Sequence, residues 1–99
     1  NRRKDIIISG GENIYPKEIE DLLYSVEGII ECALVPQEDQ TWGQVPLLFY
    51  AGAPDIQEIT SFLSQRLAKY KLPRQIIKMN ALPKNASGKI LRKNLKHEA

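Results

Sequence analysis

The run VPLLFYAG, residues 45–52, constrains the fold of this chain more than any other segment. Its length suits a strand, and its branched and aromatic side chains favour extended structure. A strand that is apolar along almost its whole length belongs in the interior of a sheet, so we predict that this segment is the central strand. Pro46 is compatible with that position because it stands near the start of the strand.

Three other segments predict strands, each bounded by turn-forming residues. They are DIIIS at 5–9, IIECALVP at 29–36 and RQIIKM at 74–79. GGEN at 10–13 predicts a tight loop, because paired glycines adopt backbone angles that are closed to other residues. QEDQTWGQ at 37–44 predicts a polar turn.

Two segments have the apolar periodicity of helices. The first begins at Pro16, which suits the first turn of a helix, and ends at Gly28. The second begins after Asp55, a predicted N-cap, and ends before Pro73. Their apolar stripes are residues 19, 22, 23 and 26 in the first helix, and residues 56, 59, 62, 63 and 67 in the second.

The order strand, helix, strand, strand, helix, strand predicts an α+β domain. We expect a small, mostly antiparallel sheet of about three main strands flanked by helices, plus a short N-terminal hairpin-like strand. After the last main strand, residues 80–89 predict a loop, KIL at 89–91 a short strand, and residues 91–99 a frayed helix.

Length and composition exclude several classes of protein. Ninety-nine residues suit one domain, and no apolar run approaches the ~20 residues that cross a membrane. Cys32 and His97 offer no ligand cluster, so we expect no metal site. A single cysteine forms no internal disulfide, which is consistent with the cytoplasm. Because the chain opens on Asn1 without a starting Met or a signal-like segment, we expect it to be a fragment cut on its N-terminal side.

The net charge of +2 conceals a strong separation of sign. Residues 5–58 carry eleven acids and one base, whereas residues 59–97 carry ten bases and no acid. A stretch of one sign indicates an anionic partner, with phosphate the first candidate. The alternative is a solvated face with a loose basic tail.

Three features are candidates for a functional site, and each also has a simpler, structural interpretation. Lys89 follows a small, turn-forming stretch and can reach a phosphate or carboxylate, or it is an ordinary surface lysine. Gly10 and Gly11 allow a ligand to approach the backbone, or they only form a turn. Trp42 lines a channel, or it packs against the domain. No catalytic triad is present in the sequence.

Two motifs at opposite ends of the chain favour the functional interpretation of these residues over the simpler one. RRKDIIISGGENIYPKEIE at 2–20 and LPKNASGKILRKNLK at 82–96, with WGQ and YKLP between them, resemble the signatures of a known family. It is the C-terminal domain of acyl-adenylate-forming enzymes, which include acyl- and aryl-CoA ligases. SGGENIYP and TWGQVP further resemble o-succinylbenzoate–CoA and fatty-acid CoA ligases.

The resemblance implies a role for each matched residue. Lys89 would be the catalytic lysine of adenylation, and Arg2 would help to hold the nucleotide. Lys4 and Asp5 would form the hinge. The channel for the pantetheine of CoA would be lined by Gly10, Gly11, Glu12, Asn13 and Trp42.

The resemblance also implies the organisation and the reactants. Residues 1–4 would be the hinge from a missing N-terminal domain, and residues 5–99 the lid. The whole enzyme would use ATP, with Mg2+ bound mainly by the missing domain, and CoA as cosubstrate to activate a carboxylate. The fragment alone would be inactive.

Two alternatives remain open from the sequence. One is a basic module that binds nucleic acid, although the basic third has only Phe62 and Tyr70 as aromatic residues for base stacking. The other is a non-catalytic scaffold domain. The intact Lys89 and Gly11 argue against the scaffold.

Overall fold

The computed structural model describes residues 6–95 and contains five strands and two α-helices. They are β1 (Ile7–Ser9), β2 (Glu12–Ile14), α1 (Pro16–Leu23), β3 (Ile29–Asp39), β4 (Gly43–Gly52), α2 (Ile56–Ser64) and β5 (Gln75–Lys78). One 3-10 turn, Lys69–Lys71, lies between α2 and β5, and another, Arg92–Asn94, follows β5.

The strands form one sheet in the order β2-β1-β4-β3, and β5 also pairs with β4. β3 and β4 are antiparallel from Ile29↔Gly52 to Asp39↔Gly43, and only β5 runs parallel to its neighbour. The predicted α+β class and the mostly antiparallel sheet are confirmed, with β4 in the predicted central place. The N-terminal strand forms a hairpin with β2.

Both faces of the sheet are covered, which explains why VPLLFYAG is apolar throughout. Successive side chains of a strand point to opposite faces. Leu48 and Tyr50 pack with α1 and α2 on one face. Leu47 and Phe49 pack on the other face against the C-terminal segment, residues 80–95, through Leu82 and Leu95.

The structure corrects several predicted boundaries. Glu12 and Asn13 belong to β2 instead of a loop, because Gly10 (φ 58) and Gly11 (φ 85) close a two-residue turn. β3 and β4 extend beyond their apolar parts into the predicted turn at 37–44, where the polar side chains lie outside the core.

The second helix and the tail also differ from the predictions. α2 ends at Ser64, well before Pro73, and its N-cap is Asp55 as predicted: the Asp55 side chain accepts from Glu58 N at 2.8 Å. KIL contributes one antiparallel bridge, Lys84↔Ile90, instead of a strand. In the described part of the tail, the expected helix is a single 3-10 turn, since that part is anchored by separate side-chain contacts.

β3 is an edge strand whose outward polar groups are occupied by side chains. Leu34 N donates to Glu20 Oε2 at 2.7 Å, and Cys32 N donates to the Tyr24 hydroxyl at 3.1 Å. Arg92 donates to Leu34 O at 3.2 Å and to both carboxylate oxygens of Glu20. These contacts block pairing with another chain at this edge and tie the C-terminal segment to α1.

The separated charges of the sequence meet in the fold. Within the described residues, 6–95, four bases from the last third of the chain form ion pairs with acids from the first part. These four bases therefore neutralise acids of the same domain. The pairs are Lys71–Glu18, Arg74–Asp39, Lys84–Glu31 and Arg92–Glu20.

Candidate functional site

Lys89 lies on a short hairpin that the structure shows to be hydrogen-bonded. The hairpin is closed by the bridge Lys84↔Ile90 and by Asn85 N donating to Lys89 O at 2.9 Å. Gly88 takes a φ of 87 in the turn, a conformation that favours glycine. The small residues before Lys89 therefore form a defined turn.

The side chain of Asn85 organises this turn. Its Oδ1 accepts from Ser87 N at 3.0 Å, from Ser87 Oγ at 2.9 Å and from Lys89 N at 3.0 Å. Asparagine is well suited to this work because its short amide competes with the backbone for local partners. The backbone of Lys89 is held on both sides.

The ammonium group of Lys89 is available to a ligand. The residue is exposed, and within residues 6–95 its side chain makes no hydrogen bond or ion pair. Lys84, five positions earlier, is instead paired with Glu31 at 2.7 Å. The two lysines of this motif thus differ: one is bound to the domain and the other points to solvent.

Trp42 and the glycine hairpin form a second candidate site. Gly10 N donates to Trp42 O at 2.8 Å, and the indole ring lies so close to Gly10 that an added Cβ would collide with it. Gly11 has no neighbouring atoms within 4 Å of such a Cβ, so its backbone is open to solvent. Trp42 itself is 50% exposed.

Asp39 fixes the turn that carries Trp42. Its Oδ2 accepts from Thr41 N at 3.0 Å and from Trp42 N at 2.9 Å, and its Oδ1 lies 3.7 Å from Arg74. Trp42 and Arg74 line the same groove. Glu12 lines the same region, whereas Asn13 is exposed on β2 opposite Ile8.

An open groove of about 520 Å³ runs along this site. Besides Gly10 and Trp42, it is lined by Lys69, Tyr70 and Arg74, which the sequence analysis did not select. Their signal was present in KYKLPR at 69–74, where cations flank an aromatic next to a proline. Two cations and two aromatic rings in one groove suit a ligand with phosphates and a flat ring system.

A second groove, of about 530 Å³, lies along α2 and contains none of the candidate residues. Arg66, a cation in its wall, stacks over the Phe62 ring at 4.0 Å and donates to Phe62 O. Because Asp55 and Glu58 also line this groove, it suits an anionic ligand less well despite its similar size.

The two candidate sites lie at opposite ends of the sheet. The Lys89 hairpin is anchored at Glu31, which pairs with Ala51 near the end of β4, whereas Trp42 precedes Gly43 at its start. Eight residues of strand separate these ends by about 26 Å. One reacting group cannot contact both sites at once.

Cys32 is excluded as a nucleophile by its surroundings. Its thiol is buried, and burial, with the nearby Glu20, raises its pKa to about 12. Only a thiolate reacts rapidly. Among residues 6–95 there is also no cluster of three metal-ligating side chains and no helix long and apolar enough to cross a membrane.

Three predicted site residues, Arg2, Lys4 and Asp5, lie outside the described residues. Their assignment to nucleotide binding and to the hinge stays a prediction.

Comparison with known proteins identifies the family to which the chain is related. The family of AMP-binding enzyme C-terminal domains matches residues 18–89. The 2-succinylbenzoate–CoA ligase of Lactococcus lactis is 66% identical over 96 residues, which are 97% of this chain and 21% of that protein. The chain spans about a fifth of the length of the curated relatives it matches.

Solved structures agree with this relationship. The o-succinylbenzoate CoA synthetase of Bacillus subtilis, in complex with the acyl-adenylate intermediate, superposes with a TM-score of 0.86 at 42% identity, covering 100% of this chain and 21% of that one. A fatty acyl CoA synthetase of Mycobacterium tuberculosis gives 0.85 at 41% identity, covering 94% and 19%. The chain belongs to the family of AMP-binding enzyme C-terminal domains.

Proposed function

We propose that the chain is the C-terminal lid of an AMP-forming carboxylate–CoA ligase that works in the cytoplasm. In the first step the carboxylate attacks the α-phosphorus of ATP and pyrophosphate leaves. In the second step the thiol of CoA attacks the acyl carbon, loses its proton and displaces AMP. The relative that is 66% identical is named for 2-succinylbenzoate, and we propose the same acid here.

The observation that carries this proposal is the placement of two sites at opposite ends of β4. A single orientation of the domain presents only one of them to the reacting carboxyl carbon, because the strand positions beside them, Ala51 and Gly43, are about 26 Å apart along β4. Two successive reactions at one centre therefore need two orientations of the lid. A short hinge absorbs such a rotation, and Lys4 with Asp5 is our candidate for it.

Lys89 serves the first orientation. Negative charge on the carboxylate and the α-phosphate must be brought together, and a fixed cation lowers the barrier by a few kcal/mol. The backbone of Lys89 is held by Asn85, and its ammonium group is unpaired within residues 6–95, which are the properties such a role needs. Arg2 would assist in holding the nucleotide.

The groove beside Trp42 serves the second orientation. Gly10 and Gly11 allow a thin chain such as pantetheine to pass close to the backbone. Lys69 supplies positive charge for the phosphates of CoA, Arg74 lies in the same groove with Asp39 at 3.7 Å, and Trp42 and Tyr70 supply flat surfaces for the adenine of CoA. Glu12 and Asn13 stay candidates for the same channel.

The remaining reactants belong to the N-terminal domain in this proposal. Residues 6–95 contain no cluster of acidic groups suited to a metal ion, and we assign the Mg2+ that accompanies ATP, together with the acyl pocket, to that domain. The nucleic-acid alternative loses support because four of the basic residues are paired within the domain.

The test uses the full-length ligase that contains this domain and measures the two steps separately. Lys89→Ala should lower the rate of pyrophosphate release by about 100-fold, while thioester formation from supplied acyl-adenylate stays near the wild-type rate. Lys93→Ala is the matched control, since it removes a nearby cation of the same segment. Equal losses in both steps for Lys89→Ala would contradict the proposal.

A further inference from the structure

Glu31 is a buried acid that the proposed mechanism does not use. It lies on β3 beneath the hairpin that carries Lys89 and is only 8% exposed. A buried carboxylate is costly unless it is paired and hydrogen-bonded. Its partners therefore indicate what this acid does.

Within residues 6–95, the partners of the Glu31 carboxylate belong to the first arm of the hairpin. Its Oε2 accepts from Leu82 N at 2.8 Å and from Lys84 Nζ at 3.0 Å, and its Oε1 lies 2.7 Å from the same ammonium group. The Leu82 N–H and the Lys84 ammonium lower the pKa of this carboxyl. The acid thus fixes the start of the hairpin to the edge strand of the sheet.

The remaining contacts carry this constraint to Lys89. Asn85, which follows Lys84, accepts from Lys89 N and donates its own backbone N–H to Lys89 O. Leu91 N donates to Pro83 O at 2.8 Å and closes the second arm on the first. Continuous polar contacts therefore join β3 to the backbone of Lys89.

We propose that Glu31 is a positioning residue for Lys89, acting through Lys84, Leu82 and Asn85. The inference rests on the proposed role of Lys89 in adenylation. A cation stabilises developing charge only at the correct distance, and a misplacement of about 1 Å can cost about 100-fold in rate. Glu31 never touches the reactants. It sets the place from which Lys89 reaches them.

The experiment measures both half-reactions in the full-length ligase with Glu31→Gln, which keeps an acceptor for Leu82 N and removes the charge that holds Lys84. We expect the maximal rate of adenylation to fall about tenfold, with the KM for ATP and the rate of thioester formation from supplied acyl-adenylate little changed. Ile59→Val, a core change in α2 far from the hairpin, is the matched control for a small loss of stability.

A double-mutant cycle separates positioning from an independent effect. If Glu31 acts through Lys89, the variant Glu31→Gln/Lys89→Ala should adenylate no more slowly than Lys89→Ala alone. If the double variant instead loses adenylation rate by the product of the two single losses, the inference is wrong. It is also wrong if Glu31→Gln slows adenylation and thioester formation equally.

Asn85→Ala provides a second route should Glu31→Gln fail to fold, since Asn85 is exposed. The same selective loss of adenylation is expected, and normal adenylation would refute the inference. The role of Lys89 is judged separately. If Lys89→Ala adenylates slowly while Glu31→Gln and Asn85→Ala adenylate normally, only the positioning role is refuted. If Lys89→Ala itself adenylates normally, the proposed function is refuted as well.

Discussion

Two buried carboxylates join the C-terminal segment to the sheet and α1. Glu20 binds Arg92 through both carboxylate oxygens, and Glu31 binds Lys84 and Leu82 N. Each acid also accepts a hydrogen bond from a backbone N–H near the core. A buried N–H left without a partner lowers the stability of the fold by about 1–3 kcal/mol. Individual side chains thus hold the segment that carries Lys89 in place, although that segment has almost no regular structure.

Glu31 should make stability depend on pH in a defined direction. Its pKa in the folded chain is lowered from 4.5 by Leu82 N and then by Lys84. The stabilisation is therefore complete above the unfolded pKa and is lost as the pH falls through the lower, folded pKa. In urea unfolding, Glu31→Gln should lower the free energy of unfolding by about 1–2 kcal/mol at pH 7, and this difference should shrink below pH 4.5.

Asp21→Asn is the control for that measurement. It removes an exposed pair with Lys17 at 3.1 Å, which is worth no more than about 0.5 kcal/mol. A difference between Glu31→Gln and wild type that grew on acidification would contradict the assignment.

Cys32 should be chemically silent in the folded chain. Burial raises the pKa of its thiol to about 12, so almost no thiolate exists at pH 8. We expect labelling by a disulfide reagent to be at least about 1,000-fold slower in buffer than in denaturant. Because Cys32 is the only cysteine, the signal belongs to it alone. Rapid labelling of the native chain would contradict this prediction, because it would show that the thiol of Cys32 becomes exposed.

Among the elements, the β1–β2 hairpin and the β3–β4 turn depend on each other. The hairpin is short, and β1 pairs with β4 only at Ser9↔Gly43. Its position is reinforced by Gly10 N donating to Trp42 O, and by Ile8 N donating to Gln44 Oε1 at 2.9 Å. The groove therefore exists only while both turns stay together.

Gly10 and Gly11 allow a matched test of this contact. Both have positive φ, so alanine strains the backbone at either position. Only at Gly10 would the new methyl also collide with the Trp42 ring. Gly10→Ala should thus shift the fluorescence of Trp42, the only tryptophan, and in the full-length ligase should raise the KM for CoA about tenfold or more.

Gly11→Ala should leave Trp42 fluorescence near that of the wild type, because its Cβ meets open space. Identical spectra for the two variants would contradict the packing of the ring on Gly10.

At the scale of the whole molecule, the fold brings opposite charges together and keeps the two candidate sites apart. Acids from the first part of the chain pair with bases from the last third. The β3–β4 ladder, which extends from Ile29↔Gly52 to Asp39↔Gly43, lies between the Lys89 hairpin and the Trp42 groove. This geometry suits the proposed lid, which would turn first one end and then the other toward the reacting centre.

The lid proposal predicts that the chain by itself does not catalyse the reaction. The purified chain should show the circular dichroism of an α+β domain but release no AMP from ATP, 2-succinylbenzoate and CoA, since the proposed acyl and metal sites lie elsewhere. The full-length ligase is the positive control. AMP formation by the chain alone, above that of the Lys89→Ala chain, would contradict the lid proposal.

The sequence by itself determined the central strand, the start of both helices, the Asp55 cap and the family. These features depend on local patterns: continuous apolar character, proline at a helix start, a capping side chain, and two motifs in a fixed order. Lys89, Gly10, Gly11 and Trp42 were selected for the same reason, since each stands inside a motif.

Only the tertiary structure decided which of these residues share a site. KYKLPR at 69–74 marks Lys69, Tyr70 and Arg74 by their residue types, but that pattern does not encode where they lie. They reach the groove of Trp42 because the segment after α2 packs beside the start of β4, where Arg74 N donates to Pro46 O at 2.7 Å. Glu31 stands alone in the sequence as one acid in an apolar strand, and its partners lie 51 and 53 positions away. Contacts over such distances follow from how the sheet and the C-terminal segment pack, and burial then turns an ordinary acid into the anchor of the Lys89 hairpin.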